Sequence, residues 1–492
     1  MKYLLGIDIG SSSVKASLLD AQTGCCAGSA FFPEQEMRIL SPSPGFAEQN
    51  PQEWYDCAKA AVRAAMKNAG ATGDEIAAVG IAYQMHGLVC VDKNQNVLRP
   101  AIIWCDSRAV PYGASAFAAA GEENCLRRLL NSPGNFTAAK LAWVKENEPE
   151  IFAKTDKILL PGDWLAMKLT GEICTTVSGI SEGMFWNFED EAPADFLLEQ
   201  FGFNSSLLAP AFSTFGLQGK LTSAAADDFG LKKGTPVAYR AGDQPNNALS
   251  LNVLNPGEIA ATAGTSGVVY GVTEQKKSDP LQRVNTFAHV NHSAANPRLG
   301  ILLCINGAGI MNAWLRRLTG EVSYSEMNRL AAPVPAGADG ISVLPFGNGA
   351  ERILGNQNPG AQIHGLDFNR HSKAHLCRAV QEGIVFSFMY GIEVMSGLGL
   401  NIQTIRAGHA NMFLSDVFCG TLAGVSGATI QLYETDGSLG AARGAGIGAG
   451  VYSSFSDAFA LLKMKKEIRV AGDFTEAYQR WKSHFETVTK KG

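Results

Sequence analysis

Two short turns in this 492-residue chain have the composition needed to hold a polyphosphate. The first is Gly10-Ser11-Ser12-Ser13, with Lys15 close behind; the second is Gly264-Thr265-Ser266-Gly267. Holding phosphate oxygens takes backbone N–H groups turned outward at a tight bend with no side chain in the way, and small hydroxyls add donors. Either turn alone reads first as a structural Gly/Ser hairpin bend. As a pair, half a chain apart, they suit a clamp on one ligand from two sides. The sequence has no GxxxxGK[ST] loop and no protein-kinase signature set, so neither of those phosphate-handling designs applies.

Further candidates flank these turns. Asp243 closes the run PVAYRAGD (236–243), the end of an expected strand, where open α/β sheets place their sites. There a carboxylate can accept the proton of an attacking hydroxyl, or it can cap the helix that Pro245 begins. Asp8 is placed either to orient Mg²⁺ through water or to bond the turn amides ahead of it. His86 follows an apolar strand and precedes Gly87; its ring serves a ligand hydroxyl or is a satisfied polar residue. Met85 and Trp104 offer apolar surface to the same ligand or to the core. Gly307-Ala308-Gly309, ahead of an expected helix at 310–318, admits a nucleotide closely or allows tight helix packing. His289 and His292 form HxxH, but with no third ligand cluster nearby a metal reading is set aside.

These residues need elements to position them. Residues 3–19 read as strand, Gly/Ser turn and strand, and 258–272 repeat the plan, which points to two related domains facing each other. Trp54 to Lys67 has helical apolar spacing and ends near Gly70. Residues 76–82 form a buried strand, and 88–91 and 101–104 pair across the Lys93-Asn94-Gln95-Asn96 turn. Helices are expected at 309–318 and 373–396, followed by a Gly/Ala-rich segment at 437–450. Strands alternating with helices imply α/β layers with buried sheets. The Asn255-Pro256-Gly257 turn marks the domain boundary. The expected domains are therefore 1–254 and 255–455, with a peripheral helical tail over 456–492.

Composition narrows the class. With 46% hydrophobic and 18% charged residues each half can bury its own core. A net charge of −5 gives no basic field for nucleic acid or anionic membrane. The ten cysteines are scattered without a CxxC pair, fitting reduced thiols in a cytoplasmic protein. Asp8 and the Gly-Ser-Ser-Ser that follows interrupt the opening apolar stretch too early for a signal peptide. No apolar run approaches the roughly 20 residues a membrane span requires.

Taken in order, these motifs resemble the FGGY carbohydrate kinases of the actin/hexokinase/Hsp70-like superfamily. Asp8-Ile9-Gly10-Ser11-Ser12 is similar to the family's opening D-x-G-T-S, Gly242-Asp243 to its catalytic strand end, and Gly264-Thr265-Ser266-Gly267 to its second phosphate turn. The likeness continues through 358–371 and 437–446, so it covers about 1–450. Gln84-Met85-His86-Gly87, Gly134-Asn135-Phe136-Thr137 with Lys140-Leu141-Ala142-Trp143, and Pro161-Gly162-Asp163-Trp164 resemble the members acting on D-xylulose. The chain departs from the family pattern at Gln244, at Trp104-Cys105-Asp106-Ser107-Arg108, and at Gly408-His409-Ala410-Asn411, which stands in place of a G-G-G-A nucleotide motif.

The resemblance implies two actin-like (ribonuclease H-like) α/β domains with a ligand cleft between them. It implies ATP and Mg²⁺ as cofactors, a small-molecule sugar as substrate, and a homodimer. Asp243 becomes the general base and Asp8 a metal- or phosphate-orienting carboxylate. Met85, His86, Trp104, Asp243 and Gln244 become the sugar contacts. Gly10, Ser11, Ser12, Lys15, Gly264, Thr265, Ser266, Gly309, Gly408 and Asn411 become the nucleotide contacts. The expected activity is phosphorylation of D-xylulose. The alternatives are another ketose, polyol or sugar acid as acceptor, or an actin-like module that binds ATP and sugar without transfer.

Overall fold

The protein is described from a computed structural model, covering residues 2–321 and 323–489. The chain divides into two compact α/β units, each assembled from three separate stretches. The first takes residues up to 252 with 287–299 and 435–462; the second takes 253–286, 300–434 and the residues from 463 on.

The first unit is built on a six-stranded sheet of β1 (Tyr3–Ile9), β2 (Val14–Asp20), β3 (Cys26–Phe32), β4 (Ile76–Tyr83), β5 (Phe215–Lys220) and β6 (Pro236–Gly242), in the order β5-β6-β4-β1-β2-β3. Strands β1, β4 and β6 run parallel, and the pairs β1–β2, β2–β3 and β5–β6 are antiparallel. Central parallel strands are covered on both faces, which is why β4 is buried along its whole length. Helix α1 (Pro51–Ala69) lies against β2 and β3. It starts where the Asn50 side chain accepts the Gln52 N–H and stops at Gly70, whose φ of 62° suits a residue without Cβ. Four further helices carry site residues: α2 (Thr137–Asn147), α3 (Pro161–Thr170), α4 (Val177–Glu182) and α5 (Asp243–Ser250).

The linear division expected at 254/255 differs from this arrangement. The Gly/Ala-rich segment forms a helix, Gly437–Gly448, that packs on β1, β4 and β6 of the first unit. The physical reason is backbone proximity. A Cβ at Gly6 would stand 1.8 Å from the Ser438 carbonyl oxygen, and one at Gly80 2.0 Å from that of Ala441. From the helix side, a Cβ at Gly448 would lie 1.8 Å from the Ala238 carbonyl oxygen. Only glycine permits that approach.

In the second unit, six consecutive strands of a seven-stranded sheet run in the order β9-β8-β7-β10-β11-β12. They are β7 (Glu258–Ala263), β8 (Gly267–Thr273), β9 (Leu299–Ile305), β10 (Thr404–Gly408), β11 (Thr429–Tyr433) and β12 (Met464–Ile468). The β7–β8 hairpin beside parallel β10 and β11 matches the β1–β2 hairpin beside parallel β4 and β6. The expected repeat is therefore present. Helices α6 (Ala308–Thr319), α7 (Tyr324–Ala331) and α8 (Lys373–Gly397) complete the elements used below.

Two local expectations change. Val89–Val91 pairs with Lys157–Leu159 and Ala101–Ile102 with Glu48–Gln49, so the supposed hairpin partners share only the Leu88–Ile102 bridge. The turn itself exists, closed by Asp92 Oδ1 accepting the Asn94 and Asn96 N–H groups. The tail is not peripheral either. β12 extends the second sheet, and the helix Thr475–Thr489 buries Trp481 completely, its indole N–H donating 2.8 Å to the Val343 carbonyl. Phe474, Tyr478, Trp481 and Phe485 form a helical stripe that joins the core. Among the described residues no helix is long and apolar enough to cross a membrane.

The seating of the glycine-rich helix gives a test. Gly80→Ala must displace the Ala441 carbonyl and is expected to destabilise by about 1–3 kcal/mol or more. Gly397→Ala, with open space around its Cβ position, is expected to be neutral or stabilising by up to about 1 kcal/mol. Urea midpoints of the two variants check the contrast.

Candidate active site

The register of the first sheet decides which side chains meet. Ile9 and Gly242 both pair with Tyr83, so the parallel strands end level. Asp8, Met85-His86 and Asp243 therefore share one edge of the sheet. The glycine-rich helix begins at the same place. A Cβ at Gly437 would lie 2.1 Å from Asp8 Oδ2, so the carboxylate rests on the start of that helix. Asp436 caps it, accepting the Leu439 N–H at 3.0 Å and the Ser438 hydroxyl at 2.7 Å. Lys15 Nζ donates 2.6 Å to the other Asp436 oxygen. Sequence reasoning placed Lys15 on a nucleotide and missed Asp436. An Asp immediately before a Gly/Ser helix start is a capping signal that was there to be read.

The electrostatics follow from this crowding. Burial, reinforced by Asp243 and Asp436 and opposed by Lys15, pushes the Asp8 carboxyl up to about 7. Burial, then Glu182, pushes Asp243 up to about 7 against the hydrogen bonds of Gln244. Burial also pushes Asp436 up, but Lys15 and the Ser438 and Leu439 donors outweigh it and leave the group below the ordinary carboxylate range. Asp8 and Asp243 each keep partial exposure. Asp243 stands at the first helical position of α5 with Gly242 at the N-cap, so it is a first-turn acid rather than the cap. Gln244 Nε2 donates to its Oδ2 at 3.2 Å.

His86 adopts a left-handed φ of 63°, an unusual conformation for a residue with a Cβ. Two groups hold it there. Its N–H donates to Glu182 Oε2 at 2.8 Å, and its carbonyl accepts Lys140 Nζ at 2.7 Å. Nδ1 lies 3.0 Å from the same Glu182 oxygen, and the ring packs edge-on against Phe136. Met85 is buried against Gly242, just before Asp243. Burial pushes Glu182 up to about 8 and Lys140 down to about 8. Neither group was identified by sequence reasoning as a support for His86. A carboxylate inside the apolar stretch 180–185 was the available signal. Beneath them Arg240 and Asp163 form a buried pair at 2.8 Å.

The first turn is fastened through its carbonyls. Ser11 O accepts Gln49 Nε2 at 2.7 Å, Ser12 O the Met37 N–H at 2.7 Å, and Ser13 O the Gly10 N–H at 3.0 Å. Ser12 is exposed. Trp104, half-exposed at 51%, sets its indole N–H 3.5 Å from the Ser11 hydroxyl. Its neighbours Asp106 and Arg108 are structural: Arg108 bonds Asp106 and Glu48, both at 2.7 Å, and stacks on Phe46.

The second turn borders a cavity of about 620 Å³ wholly within the second unit. Gly264, Thr265, Gly309 and Asn411 line it; Ser266 and Gly408 are not among its lining residues. A Cβ at Gly309 would lie 2.1 Å from the Gly264 carbonyl oxygen. The Gly309 and Ile310 N–H groups donate to the Gly264 and Thr265 carbonyls at 2.9 and 3.0 Å. Those of Asn306 and Gly307 donate to Glu351 at 3.0 and 3.1 Å. The first amides around α6 are thus consumed within the protein, and Gly309 is a glycine for helix–turn packing while its surface faces the cavity.

His292 Nε2 pairs with Glu191 at 2.9 Å, and among the described residues no group of three or more His, Cys, Asp or Glu is arranged to hold an ion.

The N-terminal domain of the FGGY family of carbohydrate kinases matches residues 3–250, and the C-terminal domain of the same family matches 259–449. A xylulose kinase of Escherichia coli (strain K12) is 30% identical over 448 residues, covering 90% of this chain and 88% of its own. An L-xylulose/3-keto-L-gulonate kinase of the same organism is 31% identical over 474 residues, covering 93% and 90%. The crystal structure of xylulose kinase from Rhodospirillum rubrum superposes with a TM-score of 0.86 at 26% identity, over 99% of each chain. Matched along both halves, with the two-domain α/β sugar-kinase fold, the chain belongs to the FGGY family of carbohydrate kinases and is a phosphotransferase.

Proposed function

We propose that this enzyme transfers the γ-phosphoryl group of ATP, in the presence of Mg²⁺, to the 5-hydroxyl of D-xylulose. The observation that carries the reading is Asp243. It is a partly exposed carboxylate at the meeting point of three parallel strand ends, tuned to about 7, beside Asp8 and the first Gly/Ser turn. Such a group accepts the proton of a sugar hydroxyl as its oxygen attacks phosphorus. Met85, His86, Trp104 and Gln244 are assigned to the sugar, and His86 is held in one pose by Glu182 and Lys140.

The residues fit the implied groups. The cavity beside Gly264-Thr265 has the size and mixed lining of a small-ligand site. The raised carboxyl of Asp8, beside Asp243 and Asp436, is relieved by a cation held through water. Mg²⁺, when bound, neutralises charge on the transferring group. Gly10, Ser11 and Ser12 are assigned to the phosphates from the first turn and Thr265 from the second; Gly264, Gly309 and Asn411, which line the cavity, are assigned to the rest of the nucleotide. The L-xylulose/3-keto-L-gulonate kinase relative supports a second reading, in which another ketose or a sugar acid is the acceptor.

A coupled assay of ADP release separates the two. D-xylulose is expected to give the largest kcat/KM in a panel with L-xylulose, 3-keto-L-gulonate, ribulose, fuculose, rhamnulose, gluconate and glycerol. A higher value for another member moves the substrate and leaves the kinase class standing. His86→Ala is expected to weaken sugar binding in calorimetry with nucleotide affinity near wild type. Asp243→Asn is expected to lower turnover by about 10²–10⁴-fold with little change in MgATP affinity. Because the base acts deprotonated, kcat/KM should fall as pH drops below about 7 and level off above it. A fully active Asp243→Asn enzyme, or a flat profile across pH 5.5–8, would remove Asp243 from that role.

A further inference from the structure

The ring of His86 is fixed by more than its backbone requires. Nδ1 lies 3.0 Å from Glu182 Oε2 and 3.2 Å from the Glu182 carbonyl oxygen. A carbonyl oxygen can only accept, and Oε2 already accepts the His86 N–H at 2.8 Å. Two acceptors therefore converge on one ring nitrogen, and the ring answers them by carrying its hydrogen on Nδ1.

The surroundings favour a neutral ring. Phe136 and Phe287 pack against it, with ring centroids 4.7 and 5.4 Å away. Lys140 Nζ donates to the His86 carbonyl at 2.7 Å, so one cationic group already stands beside it. Burial pushes Glu182 up to about 8, which leaves little fixed negative charge at neutral pH to hold a second. A neutral imidazole with its hydrogen on Nδ1 presents a lone pair at Nε2. Glu182 itself, with a side chain 1% exposed, acts only through His86.

We propose that Glu182 is a positioning residue that locks His86 in the Nδ1–H tautomer, so that Nε2 meets the sugar as a hydrogen-bond acceptor and selects a hydroxyl over a carboxylate. A hydroxyl donates its hydrogen to the Nε2 lone pair. An ionised carboxylate has no hydrogen to give and sets its own lone pairs against that nitrogen. A site built to hydrogen-bond one group rejects the analogue that lacks it. The inference rests on the reading of His86 as a sugar contact, and it adds which group of the sugar the ring accepts from and what holds the ring to that task. Neutral ketoses and polyols suit such a ring; a sugar acid whose carboxylate falls there does not.

Long-range proton–nitrogen NMR spectra of the full chain, labelled with ¹⁵N-histidine, separate the two tautomers and the imidazolium directly. Among the eight histidines, His86 is the signal missing from His86→Gln. At neutral pH the wild type is expected to show a neutral His86 with its hydrogen on Nδ1. Saturation with D-xylulose, or with whichever panel member gives the highest kcat/KM, is expected to move Nε2 upfield as it gains a donor. A hydrogen on Nε2, or on both nitrogens, overturns the proposal even where the sugar shifts the signal. An Nδ1–H ring that ignores bound sugar overturns the sugar assignment of His86 and the selection with it. Glu182→Met removes the side-chain acceptor and is expected to mix the tautomers. Its KM for D-xylulose should rise at least about tenfold, with KM for ATP within about twofold and a relative gain for 3-keto-L-gulonate. Glu182→Gln keeps an oxygen for both His86 donors and is expected to restore the tautomer and most of the KM. A Glu182→Met enzyme with wild-type KM, or with no relative gain for the sugar acid, overturns the role given to Glu182. The wild-type spectrum alone can refute the tautomer, so the test does not depend on a variant folding.

Discussion

The close seating of the glycine-rich helix on the first sheet is the constraint on which the site depends. Gly6, Gly80 and Gly448 bring helix and strand backbones to a separation that no Cβ tolerates. At that distance the helix start falls on the carboxyl end of β1, and Asp436 and Asp8 are forced into one neighbourhood. With a larger residue at 80 the helix would stand off, Lys15 would lose its 2.6 Å partner, and Asp8 would be free to solvate. Packing thus sets electrostatics, and electrostatics sets the proton affinity of the groups at the strand ends.

That proton affinity reflects two opposing demands. Burial and like charges hold Asp8 and Asp243 partly protonated near neutrality, a cost to the ligand-free protein. The same pressure makes the site attract positive charge. Asp436 escapes it through Lys15 and its own helix amides. Three neighbouring carboxylates therefore differ in proton affinity because their surroundings differ, although their residue type is the same.

Much of this was legible in the sequence. Hairpins with glycine turns, the fully apolar strand at 76–82 and the helix read from Trp54 to Lys67 carry local signals strong enough to be read directly, and the repeat of the hairpin exposed the second unit. Asp243 and Asp8 were legible because they end or interrupt apolar runs. What was not legible depends on long-range approach. The glycines of 437–448 read only as a Gly/Ala-rich segment because the strand glycines they meet lie hundreds of residues away. Trp481 was missed because a polar alternation masked its helical stripe. Glu182 and Lys140 were missed as a pair because they act on the backbone of His86, and no pattern in a single segment encodes a contact between three.

The two turns also show that similar sequences can be fastened differently. In the first, the carbonyls of Ser11 and Ser12 are taken by donors from elsewhere in the unit, and that of Ser13 by the turn's own Gly10 N–H. In the second, the carbonyls of Gly264 and Thr265 are taken by the first amides of α6, which fixes turn and helix as one body. Glu351 takes the Asn306 and Gly307 amides. With four amides around the helix start so committed, it offers little direct hydrogen bonding to a phosphate. Its contribution is rigidity: it holds the turn that borders the cavity.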